Sequence, residues 1–242
     1  MIKKTNYVTA IVMLVMLAQL NVTAAEERTI EDYSQQAVNT YEDLDFYVGI
    51  NGQYKTREMK IGNQKLDVNS TVIRLAGNLN FDWIKVMGEL GTAKAEIKDI
   101  DADGNMGLSF LLGADARMLK FTFSDDAYFD VNAKVTMDYN LSNFSDDDFY
   151  WVEFQFVPYI KYVQTMSKDD LKFYDPLAYS MSVGFIGSFI TGDMGGANVS
   201  ETGNFGLYAD LGLLCQAGTL LEFYGELYGG DYTAGIKFGY EF

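Results

Sequence analysis

Between Asp99 and Asn105 the chain reads DIDADGN, with carboxylates at Asp99, Asp101 and Asp103 followed by Gly104. Alternate carboxylates of this kind can converge on one hard cation, and the glycine permits the sharp turn that such a loop needs. A complete calcium loop ends on a bidentate Glu at its twelfth position, where this chain has Phe110. The three aspartates are therefore candidate calcium ligands in an incomplete motif, or the acidic tip of a hairpin with a glycine-dependent turn. Asp146, Asp147 and Asp148 form a second acidic tip, which reads as a solvated one.

The chemistry that is missing narrows the field further. The chain contains no histidine and one cysteine, Cys215. Without imidazole there is no Ser–His or Cys–His nucleophile and no usual zinc ligand, and one cysteine makes no intrachain disulfide. Cys215 falls on an apolar face and reads as a packing or lipid-facing side chain. A paired-carboxylate site is the catalytic arrangement still open, but nothing distinguishes one acidic pair from the others. No catalytic residue is assigned, and the chain is not expected to be an enzyme. The formal charge of −16, from 34 acidic and 18 basic residues, repels the phosphates of nucleic acid and anionic lipid.

A larger set of charges recurs at a spacing of two. Arg74, Lys85, Glu89, Asp115, Arg117, Asp130, Lys134, Asp138, Glu153, Lys161, Asp210, Glu222, Glu226 and Lys237 all fall on the polar side of segments whose other side is apolar. Such segments begin at Asp45 and recur as Phe46–Tyr54, Thr71–Phe81, Ile84–Leu90, Leu108–Ala116, Phe129–Tyr139, Tyr150–Phe156, Tyr179–Phe189, Phe205–Leu213, Leu221–Leu227 and the terminal DYTAGIKFGYEF. None has a helical period, so the chain is expected to be all-β with ten strands, eight and twelve being the neighbouring even counts. The intervals 55–70, 98–106, 140–149, 190–204 and 229–231 read as loops at one end. Pro158 suggests a bulge or strand end.

The first residues have the layout of a secretory signal, with Lys3 and Lys4, an apolar stretch and small residues up to Ala24 and Ala25. Residues 1–24 are expected to be cleaved. Residues 25–44 are polar and acidic and read as a segment outside the fold, leaving 45–242 as one β domain.

Which side of the strands is wet decides the class. A soluble barrel turns its apolar side inward and tends to carry long charged side chains outside, whereas a membrane barrel does the reverse. Here the polar side is rich in small residues such as Gly49, Asn51, Ser180, Ser182, Gly184, Gly206, Gly212, Gly235 and Gly239, as a narrow lumen requires. The apolar side carries no charge in the central part of any segment, and aromatics such as Phe81, Trp83, Tyr128, Tyr139, Tyr162, Tyr228 and Tyr232 gather near segment ends. Leu111, Ile186 and Leu214 fall on the inner side and argue for a filled interior.

The closing segment resembles the C-terminal strand of bacterial outer-membrane β-barrels, with Tyr232, Ile236, Phe238, Tyr240 and Phe242 at alternate positions and an aromatic last. In size the chain is similar to small OmpA-like or opacity-type barrels. The resemblance implies a transmembrane antiparallel up-and-down β-barrel in the bacterial outer membrane, both termini periplasmic, with lipid around it and the barrel-assembly machinery as its partner during insertion. Residues 25–44 would then be periplasmic. The expected role is structural or surface-interacting with a largely filled polar lumen; the alternatives are a narrow, cation-preferring, porin-like channel and, more remotely, an outer-membrane enzyme. The lumen charges are expected to form an ion-pair network, no cofactor is expected beyond calcium in the loop, and no extracellular ligand can be named.

Overall fold

Period-two alternation runs further along each strand than the apolar segments alone show. In the computed structural model, which describes residues 45–81, 83–124, 126–145, 147–166, 176–215 and 218–241, the strands are β1 (Asp45–Ile61), β2 (Gln64–Phe81), β3 (Ile84–Ile97), β4 (Ala102–Asp103), β5 (Asn105–Ser124), β6 (Ala127–Asn143), β7 (Asp148–Thr165), β8 (Pro176–Met194), β9 (Ala197–Cys215), β10 (Thr219–Tyr228) and β11 (Asp231–Glu241). The expected signal segment, residues 25–44, Asp146 and Phe242 lie outside the described residues.

Every pairing between these strands is antiparallel, and the sheet closes when β1 meets β11, from Tyr47 opposite Glu241 to Lys55 opposite Thr233. The two-residue β4 pairs only with β3, beside a 3₁₀ turn at Lys98–Ile100, so ten strands make the wall as expected. The expected loops at 55–70, 140–149 and 190–204 are instead mostly strand, and the connections at that end shrink to short turns such as Gly62–Asn63 and Gly229–Gly230. Apolar alternation ends short of the strand ends because the outward face turns polar while the in–out alternation itself continues.

That polar turn is an inversion of the pattern. Along β1 the outward residues are Phe46, Val48, Ile50 and Tyr54 and then Glu58 and Lys60, while the buried inward residues run from Asn51, Gln53 and Lys55 to Met59. β3 repeats the switch, with Val86 and Leu90 outward before Lys94 and Glu96, and with Glu89 inward before Ala93, Ala95 and Ile97. The half nearer the termini is thus greasy outside and polar inside; the far end is polar outside and greasy inside. The apolar belt is fully presented to its surroundings, with Leu75 67%, Val183 63% and Phe205 83% exposed. Its outward run of about nine residues per strand matches the roughly 9–11 that a tilted strand needs to cross hydrocarbon. This is the surface of a transmembrane barrel whose far rim stands in water.

Two irregularities keep the greasy side outward. In β5 the pairing with β6 shifts between Arg117 and Leu119, so outward positions change from Leu112, Ala114 and Ala116 to Leu119, Phe121 and Phe123. One extra residue flips parity, and here the flip extends the belt beyond the expected end of the strand. In β9 the register against β8 shifts between Glu201 and Asn204, so the buried inward positions change from Val199 and Glu201 to Tyr208 and Asp210. Pro158, by contrast, makes neither bulge nor strand end: it lies exposed in mid-β7 opposite Ala133, and the β7–β8 ladder lacks only the two pairs at 157 and 158 without a change of register.

Candidate functional site: a sealed lumen

The far rim closes because two strands are short. β10 and β11 stop at Tyr228 and Asp231, and beyond them β9 pairs directly with β1, Ser200 with Lys60 and Val199 with Ile61. Gly62 N–H adds a bond to the Asn198 carbonyl at 2.8 Å. Ten strands therefore become eight, the number whose interior side chains can fill. They do so with Met59, Val68, Val72, Ala93, Ala95, Ile97, Phe149, Trp151, Ile190 and Val199, all buried in one apolar cluster, with the Phe149 and Trp151 rings stacked at 4.8 Å. Of the three inner-face apolar residues of the sequence, Ile186 is fully buried beside Val157, Tyr159, Tyr208 and Tyr228, whereas Leu111 and Leu214 are half-buried.

Beneath this cap lies a continuous ion-pair network. Lys55 Nζ donates to Asp138 Oδ2 at 2.8 Å and to Glu153 Oε2 at 2.7 Å. Arg57 Nη2 reaches Glu153 Oε1 at 3.3 Å and Glu226 Oε2 at 3.4 Å, and its Nε lies 3.9 Å from Glu201 Oε2. Arg74 donates to Asp138 and lies 3.5 Å from Glu89 Oε2; Lys237 stands 3.9 Å from Glu89 Oε1 and 3.7 Å from Glu222 Oε1. Ser188 of β8 donates to Glu153 Oε1 at 2.7 Å and Ser109 of β5 accepts from Arg74 Nε at 2.7 Å, so all ten wall strands contribute a side chain. Charges removed from water hold only where partners compensate their desolvation, and this network supplies them across the full width of the lumen.

Of the fourteen charges read from the sequence, Arg74, Glu89, Asp138, Glu153, Glu222, Glu226 and Lys237 are brought together in this way. Lys85, Asp115, Arg117, Asp130, Lys134, Lys161 and Asp210 lie on the inner wall nearer the termini, among tyrosines: Tyr159 donates to Asp115, Tyr208 donates to Asp210 at 2.7 Å, and Lys134 Nζ sits 4.1 Å from the Tyr208 ring centre. Three central members, Lys55, Arg57 and Glu201, fall in the intervals read as loops. The inward phase of Asn51 and Gln53 extends unbroken to Lys55 and Arg57, a signal that was available. Glu201 was concealed by the parity flip in β9.

The three candidate calcium ligands are not brought together. Asp99 accepts the Asp67 backbone N–H at 2.8 Å, Asp103 pairs with Lys94 at 2.7 Å, and Asp101 takes the left-handed φ of 51° that ends the 3₁₀ turn. Among the described residues no group of three or more His, Cys, Asp or Glu side chains is placed to hold a metal. Ile236, Phe238 and Tyr240 of the terminal strand point outward into the belt, and Tyr232 points outward at its far edge, beside the Gly229–Gly230 turn.

No protein-family model matches the chain, and no curated protein matches it. Among solved structures it is similar to the beta domain of the Bordetella autotransporter BrkA, at 15% identity over 80% of this chain and 98% of that one, with a TM-score of 0.30. It is also similar to Pseudomonas aeruginosa OccK3 (OpdO), at 10% identity over 87% of this chain and 98% of that one, with a TM-score of 0.18.

Proposed function

We propose that the chain is a bacterial outer-membrane barrel, periplasmic at its termini, that serves a structural or surface-interacting role and does not conduct. The size-based kinship with OmpA-like or opacity-type barrels belongs to the same proposal. One observation carries it: the far rim narrows to eight strands around a solid apolar cluster, and the ion-pair network blocks the lumen directly below. A hydrated ion crossing the lumen would have to break buried ion pairs in sequence, whichever way it entered. The rival reading, a narrow cation-preferring channel, draws on the acidic residues of the lumen, but these are committed to Lys55, Arg57, Arg74 and Lys237. Refolded protein in a planar bilayer supports the proposal if the membrane stays silent over a range of voltage and salt. Stable, cation-selective steps overturn it in favour of the channel.

A further inference from the structure

Where β10 and β11 stop short, the wall is left with a gap. Its floor is the Gly229–Gly230 turn and its sides are β1 and β9, which rejoin only at Lys60 and Ser200. The gap opens on a cleft of about 740 Å³, within the roughly 300–1,000 Å³ usual for ligand sites. Through it the interior residues Arg57, Glu201 and Tyr228 become reachable from outside, with the exposed ring of Tyr232 at the rim.

We propose that this cleft binds a neutral polyhydroxylated molecule, the chemistry of a saccharide. Arg57 is 1% exposed and Glu201 7%, yet Arg57 Nε and Glu201 Oε2 have no hydrogen-bond partner and stand 3.9 Å apart, too far to bond each other. Unsatisfied polar atoms so deeply buried call for an explanation. One atom is an obligate donor and the other an acceptor. An oxygen about 2.9 Å from each completes a triangle over both, and a hydroxyl is the group that accepts from one while donating to the other. The cleft has no net sign to select an ion, since four basic and four acidic side chains line it. Several of these are already engaged: Glu58 pairs with Lys65 at 2.5 Å, and Asp231 accepts the Glu58 backbone N–H at 3.0 Å. Tyr232, 42% exposed, offers a ring edge or face against which the C–H side of a sugar can pack. The inference deepens the surface-interacting role proposed above and rests on it for its setting, since the cleft must open outside the cell.

The test is calorimetric titration of the refolded full-length protein with maltotriose, cellotriose and chitotriose, alongside inorganic phosphate and spermidine as charged probes. At least one trisaccharide is expected to bind and the charged probes not to. Glu201→Gln, which removes the charged acceptor, should weaken that binding about tenfold. Gly230→Trp should abolish it: Gly230 lines the cleft and a Cβ there meets nothing within 4 Å, so the turn accepts the substitution and the bulky ring occupies the mouth. Failure of all three sugars to bind, preference for phosphate or spermidine, or sugar binding unchanged in Gly230→Trp overturns the site. If Glu201→Gln does not fold, Gly230→Trp decides alone. An intact, non-conducting barrel that ignores sugar refutes the cleft only, whereas a conducting one refutes the sealed lumen.

Discussion

Glu153 is the most heavily used anion of the lumen, so replacing it probes the network most sharply. It is 0% exposed and accepts from Lys55 at 2.7 Å, Arg57 at 3.3 Å, Gln155 at 2.9 Å and Ser188 at 2.7 Å. Glu153→Ala withdraws an anion from two buried cations at once. Hydrogen bonds to charged groups contribute about 1.5–3 kcal/mol each, but Lys55 retains Asp138 and Arg57 retains Glu226. The loss is therefore set by the breaking of a buried pair, about 3–5 kcal/mol, and not by the sum of four bonds. Equilibrium urea unfolding in a refolding detergent, followed by tryptophan fluorescence, measures it. Adding Lys55→Met to Glu153→Ala should cost about 1–3 kcal/mol less than Lys55→Met in the parent, because the two share one interaction. Glu58→Gln at the exposed rim is the control and should leave the midpoint where it is. A Glu153→Ala loss below about 1 kcal/mol, or no coupling to Lys55, would refute the claim that these charges hold the strands together.

Further outcomes follow from the belt, the cap and the strand irregularities. Leu75→Arg, in mid-belt, should cost about 2–4 kcal/mol, whereas Glu96→Arg, beyond it, should cost about 0–1 kcal/mol by the same unfolding assay. Trp151→Ala should destabilise by about 3–5 kcal/mol through the cavity it leaves in the cap. The two tryptophans differ, Trp83 being 55% exposed and Trp151 1%, so the residual fluorescence of Trp151→Phe should be quenched by acrylamide far more readily than that of Trp83→Phe. Pro158→Val restores an N–H facing β8 and should raise stability by about 0.5–1.5 kcal/mol, read from the urea midpoint.

Much of this architecture was legible because two solvents impose complementary rules on alternate residues. Ten wall strands and the inward placing of the fourteen charges, seven of which join the ion-pair network, follow from period two and from the absence of charge on one face. What escaped is local. A polarity test ends β1 near Tyr54, whereas the backbone carries on to Ile61 because water takes over as the outside solvent and the interior becomes the hydrophobic phase. Parity arguments fail across a bulge, which hid Glu201 in β9 and the run Leu119, Phe121 and Phe123 in β5. The convergence of Lys55, Arg57 and Arg74 on shared carboxylates depends on barrel stagger and tilt, which no single strand encodes. The aspartates of 99–103 show the opposite case: the spacing is there, but Asp99 and Asp103 are turned to Asp67 and Lys94, partners that the spacing cannot anticipate.

The most direct test is which solvent wets each ring of the exterior. Spin labels placed singly at Leu75, Val183 and Leu227, and at Glu58, Glu96 and Asn198, can be read in lipid vesicles for collision with oxygen and with a water-soluble nickel chelate. Oxygen should dominate at the first three positions and the nickel chelate at the last three. Nickel access at Leu75, Val183 and Leu227 equal to that at the rim, in a protein that stays monodisperse without detergent, would contradict the account.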